Sequence, residues 1–319
     1  MRELDFIDWI RGQGKFDPSL VSVGPGDDAA VVLCGGEQLL VTVDQVLDGV
    51  HFRLSEHGPE AAGRKAMARN LSDIAAMAGL PLAAVASAAF PKGFSRADAE
   101  GVYRGLRATG DEFDCPLVGG DVGAWDGRLA ISVTVVGRPS GIRPVLRSGA
   151  RVGDAICVTG SLGGAWQSRR HLEFVPRIHE ARALALNYDP HAMIDLSDGL
   201  AADLRHVCEE SRVGADVLAG AVPIHPQVAA ACGGSQPEVK APTGGSRMPA
   251  PLRSALGDGE DYELLFTLSS GQAERLVKEQ PLPVLVSRVG TIVQGEELTL
   301  VYADAYRETM KVHGWEHET

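Results

Sequence analysis

The stretch that most constrains this chain is Asn70-Leu71-Ser72-Asp73-Ile74-Ala75-Ala76-Met77, the second half of an expected helix from about Ala61 to Ala78. On a 100° helical wheel Met67, Leu71, Ile74, Met77 and Ala78 make one apolar arc, so the helix must lie against a partner surface. Asp73 falls at the margin of that arc, beside Ala66 and Met77, and not on the solvated face. Arg69, one turn earlier, offers the plainest account, a surface ion pair worth about 0.3–0.5 kcal/mol. The other account rests on Asp27, Asp28, Asp44, Asp121, Asp195 and Asp198, which stand in similar turn or half-buried contexts. Carboxylates spread along a chain in this way can form one metal cluster once it folds.

A length of 319 residues with 45% hydrophobic and 23% charged positions predicts two globular domains. No run of about 18 apolar residues occurs and the charged N-terminus has no signal-peptide core, so neither a membrane span nor a secretory leader is expected. Five scattered cysteines (Cys34, Cys115, Cys157, Cys208, Cys232) without a CxxC spacing predict reduced thiols and a cytoplasmic protein. A net charge of −12 argues against nucleic acid as partner, because phosphate backbones need clustered Lys and Arg. If the substrate is anionic, such a chain needs local basic groups, helix N-termini or bound cations to hold it.

In chain order, Glu3 to Arg11 predicts a short helix with Leu4, Ile7 and Trp9 or Ile10 inward. Gly24-Pro25-Gly26-Asp27-Asp28-Ala29 superficially fits a dinucleotide fingerprint, but β-type residues follow where a helix should. A turn that aims Asp27 or Asp28 at a cation, or a solvated Asx turn, fits better. Leu39 to Val43 predicts a strand ending at Asp44, Leu82 to Phe90 another, and Ser95 to Thr109 a Ser-capped helix. Pro116 to Asp121 predicts a strand, a glycine turn that lets backbone approach a ligand, and an Asp. Leu129 to Gly137 is a strand. Arg138 to Gly153 lacks periodicity and marks the domain boundary. Asp154 to Gly160 predicts a strand entering the Gly-rich turn Ser161–Gly164, which lacks a P-loop Lys. Arg177 to Leu186 is helical. Ala192 to Asp195 leads into a helix with Leu200, Leu204, Val207 and Cys208 inward, Ser197 or Asp198 being the candidate N-cap. Cys232 to Leu252 predicts a flexible loop. Gly257-Asp258-Gly259-Glu260-Asp261-Tyr262-Glu263 is an acidic turn entering a strand, and a helix from Gln272 to Gln280 follows.

Taken in order, the segments GPGDDAAV, DGVHF, KAMARNLSDIAAM, VGGD, VLRSGARVGDAICVTG, MIDLSDGL, GEDYELLF and HGW resemble thiamine-monophosphate kinases, of the superfamily that includes aminoimidazole ribonucleotide synthetase. Each motif is modest; their order over nearly the whole chain is specific. The resemblance implies an α/β fold of α+β type in two domains. An N-terminal ATP- and metal-binding domain (1–138) pairs its strands across a homodimer, a linker follows (139–153), and a C-terminal α/β domain (154–319, with loop 232–252) completes the active site. It implies ATP-dependent phosphorylation of thiamine monophosphate to thiamine diphosphate with several Mg²⁺ ions, and no nucleic-acid or membrane partner.

By matching position, the resemblance implies metal ligation by Asp28, Thr42, Asp44, Asp73, Asp121, Asp195 and Asp198, with Asp73, Asp121 and Asp198 closest to catalysis. ATP would meet Gly120, Asp121, Arg147 and Ser197, and the thiamine side would meet His51, Glu260 and Trp315. The chain departs from the family pattern at Val43, at Val122-Gly123 and at Gly257-Asp258-Gly259. The chemistry suits this residue set. Donor and acceptor are both phosphates, and two unit charges ~4 Å apart repel by about 4 kcal/mol at an effective dielectric near 20. Hard oxygen donors suit Mg²⁺, and an acceptor phosphate with a second pKa of ~6 needs no strong base. Two alternatives stand beside this one: a sister enzyme with another acceptor, and a non-catalytic nucleotide- or thiamine-binding homologue.

Overall fold

A computed structural model describes residues 3–231 and 247–310, in two compact units. The first unit comprises Trp9–Pro144 and His171–Arg182. The second comprises the residues up to Asp8, Val145–Arg170 and the described residues from Ala183 onward. The division after Pro144 falls inside the aperiodic stretch, and 171–182 return to the first unit. No helix among the described residues is long and apolar enough to cross a membrane.

The chain opens with α1 (Glu3–Gln13). Ile7, Trp9 and Ile10 are not inward as expected but 38%, 59% and 40% exposed, and the Leu4 side chain lies outside the described residues. The first unit then runs β1 (Val21–Val23), β2 (Ala30–Cys34), β3 (Glu37–Leu47), α2 (Leu54–Ala76), β4 (Leu80–Pro91), α3 (Arg96–Glu112), β5 (Leu117–Trp125) and β6 (Ala130–Arg138). Its sheet has the order β1-β2-β3-β6-β4-β5, antiparallel except for β4 with β5. The long helix α2 kinks at Gly58 before Pro59 and packs on β3 and β6. Met67, Leu71, Ile74, Met77 and Ala78 are all fully buried, each large side chain worth about 1.5–3 kcal/mol. Ser95 caps α3 by accepting the Asp98 N–H.

Two expectations fail here for identifiable reasons. Asp44 does not end its strand: β3 continues to Leu47, since its pairing with β6 extends from Leu40↔Gly137 to Leu47↔Ala130. Nor do Gly119 and Gly120 form a turn; they lie inside β5. A Cβ on Gly120 would stand 1.9 Å from the Ala86 carbonyl oxygen, so this glycine serves the close approach of β4.

The stretch 171–182 of the first unit carries most of the four-residue α4 (Arg170–Glu173) and the start of α5 (Ile178–Asn187). The second unit comprises β7 (Ala155–Thr159), the end of α5, β8 (Ala192–Asp195), α6 (Leu200–Ser211), β9 (Gly214–Leu218), α7 (Pro226–Ala231), α8 (Ala250–Gly257), β10 (Leu264–Leu268), α9 (Ser270–Glu279), β11 (Val286–Val293), β12 (Leu298–Val301) and β13 (Arg307–Thr309). Seven strands pair in the order β13-β12-β9-β11-β7-β10-β8, antiparallel apart from β9 with β12. Its core joins Ile156, Val158, Ile194 and Leu265 of the sheet to Leu200, Leu204 and Val207 of α6. The expected loop 232–252 ends earlier than its bounds, because α8 begins at Ala250; residues 232–246 lie outside the described residues.

Candidate active site

In the first unit, strand alternation and helical period meet. Thr42 and Asp44, two residues apart on β3, face α2, whose Arg69, Asn70 and Asp73 share one face at i, i+1 and i+4. Thr42 Oγ1 donates to Asp73 Oδ2 at 2.5 Å. Asn70, fully buried, accepts the Asp44 N–H at 3.0 Å and donates to Ala66 O at 2.9 Å. Arg69 Nε stands 2.8 Å from Asp44 Oδ2, so this arginine braces the strand that carries Thr42. At the end of α2, Met77 Sδ receives the Ala29 N–H at 3.1 Å, which draws the Gly24–Ala29 turn onto the helix. Asp28 is thereby brought to Asp73, with a carboxylate oxygen of each within 4.8 Å. Two like charges at that range cost about 3–4 kcal/mol at an effective dielectric near 20, a cost that a cation between them removes. Carboxylate and hydroxyl oxygens at this spacing suit a hard ion such as Mg²⁺, and among the described residues the group contains no His or Cys. The cleft beside them, about 350 Å³, is lined by Asp27, Asp28 and Thr42 with Phe16, Val21 and Val41.

Asp121 is placed apart from this group. It is exposed on the edge strand β5, opposite Ser87 of β4. The row through Asp44 runs Val133, Ala86, Gly120, so three strand spacings, about 14 Å, separate Asp44 from Gly120 and its neighbour Asp121.

The 47–54 turn of the first unit is held by three side-chain hydrogen bonds. His51, 4% exposed, accepts the Leu47 N–H at Nδ1 (3.0 Å), so the neutral ring carries its proton on Nε2. The fully buried Lys65 donates from Nζ to the His51 carbonyl at 2.7 Å, and Asp48 accepts the Leu54 N–H at 2.9 Å. Asn70 is a polar residue inside the expected apolar arc of α2, and that misfit is its sequence signal; Lys65 lies on the opposite side of the wheel, where the period gives no sign of its burial.

In the second unit, β8 ends at the buried Asp195, and the turn Leu196–Gly199 leads into α6. Neither Ser197 nor Asp198 caps α6. The N-cap is Gly199 at φ +108°, where a Cβ would stand 3.0 Å from the Leu256 carbonyl oxygen. Asp203, 1% exposed, reaches back from the first turn, and its Oδ2 accepts the N–H groups of Asp198 (3.1 Å) and Gly199 (3.0 Å). Burial raises the Asp203 carboxyl well above its ordinary value, the charges of Asp198 and Asp195 add to this, and the Arg147 guanidinium opposes it. Arg147 therefore lies within electrostatic reach of the same acids. Its backbone is fixed by Ser211, whose hydroxyl donates to Arg147 O (3.3 Å) and accepts from Gly149 and Ala150.

The acidic turn of residues 258–263 is laced to Leu196–Asp198: Glu260 N donates to Ser197 O (2.7 Å), Tyr262 N to Leu196 O (2.8 Å) and Leu196 N to Glu263 O (2.8 Å). Gly259, Glu260 and Tyr262 have φ of +70°, +61° and +50°, and left-handed non-glycine residues of this kind concentrate at functional sites. Two of its acids hold the Gly-rich turn after β7 and a third holds the last residue of that strand. Asp261 accepts the Gly163 N–H and pairs with Arg170, Asp258 accepts the Gly164 N–H, and Glu263 accepts from Thr159 Oγ1 at 2.6 Å. Glu260 is thus presented by a braced frame. Trp315 lies outside the described residues.

The two sheets flanked by helices and this distribution of carboxylates define the AIR synthase type of fold. The model of the "AIR synthase related protein, N-terminal domain" matches residues 26–138. Among curated relatives, thiamine-monophosphate kinase of Rhodopirellula baltica is 37% identical over 302 residues, covering 91% of this chain and 89% of its own. The Bacillus subtilis thiamine-monophosphate kinase is 31% identical over 315 residues, covering 92% and 91%. The solved structure of AaThiL complexed with AMPPCP and TMP aligns with a TM-score of 0.80 at 29% identity, over 99% of this chain and 97% of its own. The chain belongs to the thiamine-monophosphate kinase family.

Proposed function

We propose that this protein transfers the γ-phosphoryl group of ATP directly to thiamine monophosphate, giving thiamine diphosphate and ADP. The observation that carries the proposal is the oxygen group of Asp28 on its turn, Thr42 on β3 and Asp73 on α2, in a chain of this family. Several Mg²⁺ ions are the cofactors; when bound they screen the repulsion between the donor and acceptor phosphates. Asp28, Thr42, Asp44 and Asp73 are the ligands from one end of the first unit's sheet. Asp121 serves a different ion from Asp44, given the three strands between them. Asp195 and Asp198 are the ligands from the second unit.

Asp73, Asp121 and Asp198 hold the ions nearest the reacting phosphates. Arg147 pairs with ATP phosphates through its planar guanidinium, and Ser197 and the Gly120 backbone add hydrogen bonds. His51 donates from Nε2 to thiamine monophosphate, Glu260 faces its cationic part, and Trp315 stacks on the heterocycle. The acceptor oxygen is already ionised near neutral pH, so no side chain acts as a general base.

The protein works as a homodimer through the first sheet. Its edge strand β5 carries exposed Val118 (65%), Val122 (72%) and Trp125 (49%), an apolar edge of the kind that proteins cover. The free Cys34, Cys115, Cys157 and Cys208 and the ATP requirement support a cytoplasmic location. The test is chromatographic detection of thiamine diphosphate from ATP, Mg²⁺ and thiamine monophosphate, with free thiamine in parallel. Product from the monophosphate alone is expected. ADP without thiamine diphosphate would move the assignment to a sister enzyme with another acceptor, and binding without turnover to a non-catalytic homologue.

A further inference from the structure

We infer that Asp203 is a positioning residue for the Asp195–Asp198 end of the site, fixing the direction of Asp198 through two backbone hydrogen bonds. The inference rests on the reading of Asp198 as a Mg²⁺ ligand. The turn Leu196–Gly199 has three anchors. Leu196 is held on both its N–H and its carbonyl by the acidic turn, through Glu263 O and Tyr262 N, and the Ser197 carbonyl by Glu260 N. The third anchor holds the N–H groups of Asp198 and Gly199, and it is the carboxylate of Asp203. The first two are backbone to backbone, and the third is made by a side chain.

This anchor has to come from inside the helix. Gly199 occupies the N-cap and has no side chain to offer, and φ of +108° with Leu256 O close by keeps a capping Ser or Asp from that position. Asp203 therefore does from the first turn what a cap residue does from outside, satisfying N–H groups at the helix start. Because Oδ2 grips the peptide N–H of Asp198 itself, the Cα–Cβ direction of Asp198 is set by the same contact. Without it, the N–H groups of Asp198 and Gly199 lose this anchor while α6 and the core beneath it remain packed through Leu200, Leu204 and Val207.

Partners that orient a metal ligand typically alter metal affinity by about 10- to 100-fold when removed. The experiment compares wild type, Asp203→Ala and Asp203→Asn by titration of Mn²⁺ alone, followed by electron paramagnetic resonance. Thermal melting and the Mg²⁺ concentration at half-maximal turnover accompany it. Asp203→Ala is expected to weaken Mn²⁺ binding and raise the Mg²⁺ requirement by about tenfold or more. Asp203→Asn, whose amide oxygen still accepts both N–H bonds, is expected to stay within about threefold of wild type in both. Wild-type Mn²⁺ affinity in a folded Asp203→Ala protein would overturn the inference and leave the metal reading standing. Loss in Asp203→Asn as complete as in Asp203→Ala would overturn it too, since the charge and not the hydrogen bonds would then be acting. That arm holds even if the alanine variant does not fold. Absence of Mn²⁺ binding in wild type would instead overturn the metal reading, and the inference with it.

Discussion

The two carboxylate regions are built in opposite ways. In the first unit, Thr42, Asp44 and Asp73 project from a regular strand and a regular helix, with the Asn70 side chain accepting the Asp44 N–H between them. In the second, Asp198, Glu260 and Asp261 sit on turns with left-handed residues, and those turns are held by side chains that reach back to backbone N–H groups. The first region can lose a functional side chain and keep its shape. The second depends for its shape on acids adjoining the functional ones, so chemistry and conformation are harder to separate there.

The largest effect that would sharpen this contrast belongs to Asp73→Asn. The amide still accepts from Thr42, so the fold persists, while a metal-binding charge is gone. Turnover is expected to fall about a thousand-fold or more with little change in the melting curve. Activity near wild type would remove Asp73 from the metal set.

Gly259→Ala should affect shape and activity together. A Cβ there would stand 2.7 Å from the Ser197 carbonyl oxygen, at φ +70°. A stability loss of about 1–3 kcal/mol in urea denaturation is expected, with turnover falling alongside. A variant that loses activity at full stability would show that the second region separates form from function as the first does.

The difference between the regions is also a difference in what the sequence reveals. Asp73 was legible because a 3.6-residue period places it at the edge of an apolar arc, and the buried arc confirms that reading. Asp44 was misjudged as a strand end, because pairing with β6 prolongs β3 and no local residue announces that. The roles of Asp261 and Arg170 are hidden for another reason. Asp261 meets Gly163 across 98 positions, and a long-range hydrogen bond leaves no periodic trace. The left-handed Glu260 and Tyr262 were equally hidden, since non-glycine residues adopt that conformation only when surrounding contacts impose it.

Lys65→Met tests whether the first unit is as self-supporting as its regular elements suggest. The change keeps an apolar stem and removes the ammonium that holds the His51 carbonyl. A stability loss of about 1–3 kcal/mol is expected from the buried carbonyl left without its donor. The KM for thiamine monophosphate should rise through His51 while the KM for ATP stays put. Equal shifts in both would mean that the 47–54 turn supports the whole unit and not His51 in particular.

The smallest expected effect is a pH dependence confined to the second region. Burial pushes the Asp261 carboxyl up to about 7, outweighing the Gly163 N–H and the Arg170 guanidinium, with Glu263 and Asp258 adding to the rise. In the unfolded chain the group titrates near 3.9. Between those values the folded protein keeps a proton that the unfolded chain has lost, so the folded state binds more protons there. Stability from this group is therefore greatest below about pH 4, declines as pH rises toward 7, and is flat above that. Asp261→Asn cannot titrate and keeps an acceptor for the Gly163 N–H. The difference in urea-unfolding free energy between wild type and this variant should shift against wild type from pH 5 to 7, by at most about 1.4 kcal/mol per pH unit. A difference that stays level across that range would mean that Arg170 holds Asp261 ionised throughout. The brace of the second region would then be a fixed ion pair, as insensitive to pH as the hydrogen-bonded strand and helix of the first.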